Sequence, residues 1–164
     1  MWKGTDHAVV DPLEMRRVLG HFASGVTIVT GFDGETPVGF ACQSFTSVSL
    51  DPPLVLFCPA HTSSTWPRIQ ASGSFSVNVL AADQLELCKA FATSGGDKFE
   101  GVDWTRTQWG PSLDGVLATV SCDIDQVHTA GDHDVVIGHV RELVTHREDG
   151  PLLFWRGEFG VSWA

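Results

Sequence analysis

The feature that most limits the fold is a series of short β-branched segments, alternating at period two and cut by turn residues at close intervals. Val26, Ile28 and Thr30 alternate with Thr27 and Val29, as in a strand with two distinct faces. Phe32-Asp33-Gly34 follows, and an Asp-Gly pair tolerates the positive φ of a tight hairpin, so a second strand is expected from about Pro37. Leu54 to Cys58 is apolar throughout and reads as a strand buried on both faces. Phe75, Val77 and Val79 alternate again. Two long strands are expected at about residues 116–128 and 134–147. Ala118, Val120, Cys122 and Ile124 should point inward on the first, and Val135, Val136 and Ile137 should be buried on both sides of the second. Trp104 to Pro111 reads as irregular or a short strand, and a last strand runs from Leu152 to Trp155 towards Phe159.

Helical signals are fewer. Asp11 fits an N-cap, Pro12 the first turn, and Glu14 the third position of a capping box. Met15, Val18, Leu19 and Phe22 recur at helical spacing and are expected to face the core. Ser63, Ser64 and Thr65 precede Trp66-Pro67, the start of a short helix ending at Gly73. Asp83 with Glu86 resembles a second capping box, opening a helix with Leu87 and Phe91 on one face. Strands outnumber helices and the βαβ alternation of a doubly wound sheet is missing, so the expected architecture is mainly β, a barrel with peripheral helices.

A chain of 164 residues suits one sizeable core, and with no repeat, linker or low-complexity tract it reads as a single domain over 1–164. Twenty acidic against 10 basic residues give a net charge of −10. That balance argues against binding a nucleic-acid backbone or an anionic membrane surface. No apolar run approaches a membrane span, and residues 1–11 lack the basic and apolar blocks of a signal peptide, so the expected address is the cytoplasm. The four cysteines, Cys42, Cys58, Cys88 and Cys122, are scattered and expected to be free thiols. No CxxC, HxH or HExxH motif occurs, and no metal site is expected.

Three segments carry chemistry. GFACQSFTSVSLDPP (39–53) sets small and hydroxyl residues around Phe45; small residues let a flat ligand approach the backbone, and hydroxyls grip its polar edge. HTSSTWP (61–67) joins hydroxyls to a helix start, which suits an anion or serves as plain capping. His133 stands in a Gly-Asp-His turn at a strand entrance, either aimed into a cleft or satisfied by its neighbours. Lys98 beside Phe99, in the loop at 94–101, pairs a cation with an aromatic. His61 suits a phosphate or the surface; His21, His128, His139 and His146 read as structural or exposed. GHFASG (20–25) lacks the central glycine of a dinucleotide fingerprint and follows a helix; Walker A and GxSxG motifs are missing. A phosphorylated planar cofactor such as flavin would use all three segments.

In order, FASGVTIVTG (22–31), GFACQSFTSVSLDPP (39–53), GSFSVNVL (73–80), DKFEG (97–101), GDHDVVIGHV (131–140) and PLLFWRG (151–157) resemble the flavin reductase family built on the FMN-binding split barrel. The likeness covers about residues 13–160. The AxQSF and LVLFCP segments look most like reductases that serve hydroxylases of phenolic rings, including steroid-derived phenols. The resemblance implies a homodimer of a six-stranded Greek-key split barrel with flanking helices. It implies reduction of FAD or FMN by NADH, with NADPH as the other donor, and release of reduced flavin to a separate flavin-dependent monooxygenase.

By position, Ala41, Cys42, Gln43 and Ser44 would line the polar edge of the flavin ring through backbone groups. Ser47, Val48 and Ser49 would lie by the ribityl-phosphate region; Cys58, Pro59, Ala60, His61, Ser63, Ser64 and Thr65 would hold phosphate and, in FAD, the adenosine half. Phe91, Lys98 and Phe99 would close over the ring, and His133, the candidate catalytic residue, would contact the nicotinamide side. The chain departs from the family pattern at Ala41 and Gln43, where many members carry threonine and asparagine or serine, and at Phe159, where many carry an aromatic hydroxyl. A self-contained split-barrel oxidoreductase and a non-catalytic flavin- or haem-binding barrel are the alternatives.

Overall fold

The computed structural model describes residues 9–160; most of the segment read for a leader, residues 1–8, lies outside them. In chain order the elements are α1 (Pro12–Leu19), β1 (Ser24–Gly25), β2 (Thr27–Asp33), β3 (Thr36–Cys42), β4 (Thr46–Leu50), β5 (Pro53–Phe57) and α2 (Trp66–Ser72). They continue with β6 (Ser74–Val79), α3 (Leu85–Ala92), β7 (Trp104–Arg106), β8 (Pro111–Leu113), β9 (Ala118–Ala130), β10 (His133–Thr145), β11 (Leu153–Trp155) and β12 (Glu158–Phe159).

The mainly β architecture expected from the alternation is present. Seven strands form the main antiparallel sheet in the order β3-β2-β6-β9-β10-β5-β4, one more than the six implied by the resemblance. β1, β11 and β12 make a small second sheet, and β7 pairs with β8. The Asp-Gly hairpin forms as read, with Asp33 opposite Thr36 and Gly34 at φ 60°. The long β9–β10 hairpin shifts register at Ile137/Gly138 and again at Val140/Glu142, and such bulges bend a ladder that would otherwise lie flat.

Two apolar clusters lie on opposite faces of β2. Val29 joins Val38, Phe57, Phe75, Val77, Cys122 and Val136, with Trp66 and Ile69 of α2 among them. Ile28 and Val26 join Leu80, Cys88, Phe91, Phe99, Leu113 and Leu152. β2 and β6 are therefore buried on both faces despite their alternating sequences. The polar residues of that alternation are bonded to one another. Asn78 Nδ2 donates to Ile28 O at 3.1 Å and Thr30 Oγ1 at 3.0 Å, and Asn78 Oδ1 accepts from Leu113 N at 2.9 Å. Burial without such partners would cost more than a bond gains.

Several expectations are corrected. Met15, Val18, Leu19 and Phe22 do not face the core: none of α1 is buried, and Leu19 is 59% and Phe22 85% exposed. α1 meets the chain at its C-terminal end, where Arg156 N donates to Gly20 O, so helical periodicity marked an apolar face but not what covers it. Asp11 caps α1 through Leu13 N, but Glu14 pairs with Arg17 instead of closing a capping box. Asp83 does not cap α3 either; it pairs with Arg147, and Gln84 is the N-cap. Leu54 and Leu56 are half-buried while Val55 and Phe57 are buried, and Val135 and Ile137 are half-buried beside buried Val136. Only one face of β5 and β10 reaches the core there, so continuous apolar runs did not mean two covered faces.

All four cysteines are free, as read, and burial pushes the Cys122 thiol up to about 12. Among the described residues no group of three potential metal ligands gathers, and no helix is long and apolar enough to cross a membrane.

Phe57 anchors the first cluster, edge-on to Phe75 at 4.9 Å and to Trp66 at 5.6 Å between ring centroids. Phe57→Ala is expected to lower stability by about 3–5 kcal/mol. Urea titration should show a lower midpoint at unchanged slope, and an unchanged midpoint would remove Phe57 from the core's support.

Candidate functional site

The site begins with an unsatisfied edge. β3 ends the main sheet and pairs only with β2, so the backbone groups on its outer edge have no strand partner. Along that edge runs a cleft of about 1480 Å³. Its wall is made of small residues, Gly39, Ala41, Cys42 and Ser44, together with Gln43. A Cβ on Gly39 would stand 3.0 Å from both Phe91 Cε1 and Val29 O, so close packing behind the wall depends on glycine there.

The ends of β3 and β5 are tied together by Ser44, whose Oγ accepts from Cys58 N at 2.8 Å and lies 3.1 Å from Cys42 Sγ. Ser44 is therefore a wall builder with its hydroxyl engaged. Burial, the largest cause at each, pushes the Cys42 and Cys58 thiols up, so both stay neutral and unsuited to nucleophilic work.

The facing side comes from α3 and the loop after it. Phe91 and Phe99 meet edge to face at 5.0 Å, and Lys98 Nζ donates to Phe91 O at 3.2 Å and Gly39 O at 3.4 Å. Burial pushes the Lys98 pKa down. Its cation is held between carbonyls at the cleft wall, fixed in place rather than sweeping solvent.

The rim comes from the β9–β10 turn. Gly131 at φ 64° lets the hairpin reverse, with Ala130 opposite His133. The turn is bound to residues 59–61: His61 N donates to Asp132 O at 2.9 Å, Asp134 N donates to Pro59 O at 3.0 Å, and Ala60 bridges His133. Asp134 locks the junction. Its Oδ2 accepts from Trp66 Nε1 at 2.9 Å and its Oδ1 lies 2.8 Å from His61 Nε2. Those bonds, Trp66 first, hold its carboxyl below the usual carboxylate range. His133 Nδ1 contacts Asp132 Oδ1 at 2.7 Å, and this bond likewise holds Asp132 low.

Of the residues singled out in the sequence, Ala41, Cys42, Gln43, Ser44, Cys58, Pro59 and Ala60 line this one cleft. So do Ser63, Ser64, Thr65, Phe91, Lys98, Phe99 and His133. Ser47, Val48, Ser49 and His61 do not: the first three lie on β4, and His61 is engaged by Asp134. Ser63 serves as a cap, its Oγ accepting from Trp66 N at 3.1 Å and Thr65 N at 3.3 Å, which uses two of the donors an anion would have taken. Sequence reading missed Asp134, whose partners are remote in the chain, and the cleft-lining role of Met15 and Leu19. The unusually apolar face of α1 was the one available signal for the latter.

A shallow small-residue wall, an unpaired strand edge, a half-buried lysine and facing aromatics fit a planar, polar-edged ring such as flavin. The flavin reductase like domain model matches residues 19–161. The chain belongs to the flavin reductase family. It is 52% identical over 151 residues to the flavin-dependent monooxygenase reductase subunit HsaB of Rhodococcus jostii, covering 92% of this chain and 77% of that one. It also resembles the solved nitrilotriacetate monooxygenase component B from Mycobacterium thermoresistibile, with TM-score 0.87 and 49% identity over 90% of this chain and 84% of that one. A third likeness is to the NADH:FAD oxidoreductase SgcE6 of Streptomyces globisporus, solved with NAD and FAD fragments, with TM-score 0.87 and 36% identity over 96% and 97% of the two chains.

The Asp134 latch has a signed pH dependence. Its carboxyl is held low in the fold, so its stabilisation is present above the ordinary aspartate value of about 3.9 and is lost as pH falls through the lowered folded value. The gap in melting temperature between wild type and Asp134→Asn should therefore be widest near neutral pH and close on acidification. A gap that is constant with pH would show that the carboxylate charge plays no part.

Proposed function

We propose that this flavin reductase takes electrons from NADH, passes them to exchangeable FAD or FMN, and supplies the reduced flavin to a separate monooxygenase. The observation that carries the reading is the open edge of β3, faced by Lys98 and Phe99 and rimmed by His133, in a chain of this family. NADH is preferred to NADPH as donor because two relatives name it: a 43% identical protein of Agrobacterium fabrum is the FMN reductase (NADH) SmoA, and SgcE6 is an NADH:FAD oxidoreductase. The partner is proposed to hydroxylate a phenolic ring, and the setting to be the cytoplasm.

When bound, the flavin supplies the two-electron acceptor; the protein supplies position and dryness. Backbone groups of Ala41 to Ser44 hold the polar edge of the ring. Cys58, Pro59, Ala60 and the hydroxyls of Ser63, Ser64 and Thr65 lie toward its phosphate, and Phe91, Lys98 and Phe99 cover it. His133, fixed by Asp132, positions the nicotinamide and is not an obligatory acid or base. Ser47, Val48, Ser49 and His61 keep a place in this proposal only at the margin of the site, since they lie off the cleft of a single chain.

A homodimer is part of the proposal. Leu50 is 94% and Leu143 70% exposed, and Val48, Val144 and the face of α1 are also bare, more apolar surface than a free chain usually shows.

Mixing the full chain with NADH and FAD or FMN is expected to bleach the NADH absorbance band, with flavin removable by dialysis. Retained stoichiometric flavin would favour the self-contained oxidoreductase, and binding without NADH loss would favour the non-catalytic module. His133→Ala is expected to raise the NADH KM or slow flavin reduction several-fold; unchanged kinetics would remove His133 from the site.

A further inference from the structure

His133 stands at the rim of the cleft, but nothing inside its own turn fixes where that rim lies. Among the described residues its one side-chain bond goes to Asp132, the residue before it, at 2.7 Å. Both partners ride on the same turn, and the Asp132 side chain is 96% exposed. A bond of that kind orients the imidazole in competition with water. It does not tie the turn to the rest of the molecule.

The tie is one residue further on. Neighbouring residues of a strand point to opposite faces. Asp134 shares a face of β10 with buried Val136, while His133 is left on the cleft side. The Asp134 carboxylate therefore goes inward, where it accepts from the indole N–H of Trp66 at 2.9 Å. Trp66 is buried at the start of α2, edge-on to Phe57. An indole N–H left without an acceptor at that depth would be costly, which holds the pair together. The other carboxylate oxygen meets His61 at 2.8 Å, and the Asp134 amide donates to Pro59 O. One side chain thus joins the β9–β10 turn to α2 and to residues 59–61.

We propose that Asp134 is a positioning residue of the reductase: through Trp66 and His61 it sets where His133 stands over the cleft. The inference rests on the reading of His133 as the group that meets the nicotinamide, and adds what holds it there. The wall for the flavin ring is built by β3, Lys98 and Phe99, and Asp134 bonds to none of them. Its loss is therefore felt on the donor side and spares the ring.

The test uses the full chain with Asp134→Asn, Asp134→Ala, His133→Ala and the double variant of the two alanines. Asparagine keeps an acceptor for Trp66 and alanine keeps none, so the pair grades the loss of the tie. Asp134→Ala is expected to raise the NADH KM or slow flavin reduction several-fold, and by no more than His133→Ala does. Asp134→Asn should fall between it and wild type. Riboflavin affinity, from fluorescence titration, should stay within about twofold of wild type. In the His133→Ala background Asp134→Ala should add nothing, because a residue acting through another is not additive with it. Hydrogen exchange at the His61 amide, which is bonded to Asp132 O, should quicken in Asp134→Ala while the amides of β2 keep their rates. Additive losses in the double variant, an equal loss of riboflavin affinity, or unchanged NADH kinetics in folded Asp134→Ala would overturn the proposal. If Asp134→Ala does not fold, Asp134→Asn runs the same cycle with His133→Ala. Failure of wild type to oxidise NADH would sink the reductase reading instead, and exchange at His61 would still decide whether Asp134 holds the rim.

Discussion

A sheet that stops at β3 leaves one strand edge unpaired, and most of the molecule is arranged around that edge. In water an open edge invites another strand. Here it is sheltered by α3, by the loop bearing Lys98 and Phe99, and by segment 58–65, which together leave a cleft instead of a pairing surface. The shelter is possible because β2, behind β3, is buried on both faces and cannot yield. Rigidity behind the wall and openness in front of it are two results of the same strand order.

The rim has a different origin. The β9–β10 hairpin is long enough to cross the sheet and reach residues 59–61, where backbone bonds and the Asp134 carboxylate fasten it. Asp134 accepts from two rings on the far side of that junction, and its side chain is only 13% exposed. A carboxylate so engaged keeps its charge, which keeps the junction closed over the physiological pH range. His133 owes its position to this latch as much as to its own turn. Under the role proposed for His133, this remote carboxylate acts on the chemistry through geometry alone.

The acidic surface and the cleft are in tension. A strongly negative chain repels nucleic-acid backbones, and it also repels the phosphate-bearing ligands proposed for the cleft. Most of its arginines pair with carboxylates, while Arg16 and Lys98 stand at the cleft. Moderate affinity suits the proposed release of reduced flavin.

Period-two alternation, Asp33-Gly34 and the scarcity of helical signals were enough to establish a mainly β chain, its first hairpin and most strand positions. Local chemistry did this, because side-chain alternation and turn preferences act within a few residues. The resemblance placed most of the cleft as well, through Ala41 to Ser44, Phe91, Lys98 and His133. Tertiary structure alone decided which faces are covered. Met15 and Phe22 look as apolar as Val26 and Ile28 in sequence, but no element of the described chain lies over them. The roles of Asp83 and Asp134 likewise depend on partners far along the chain. Burial and pairing are properties of position in space, and spacing along the chain carries no record of them.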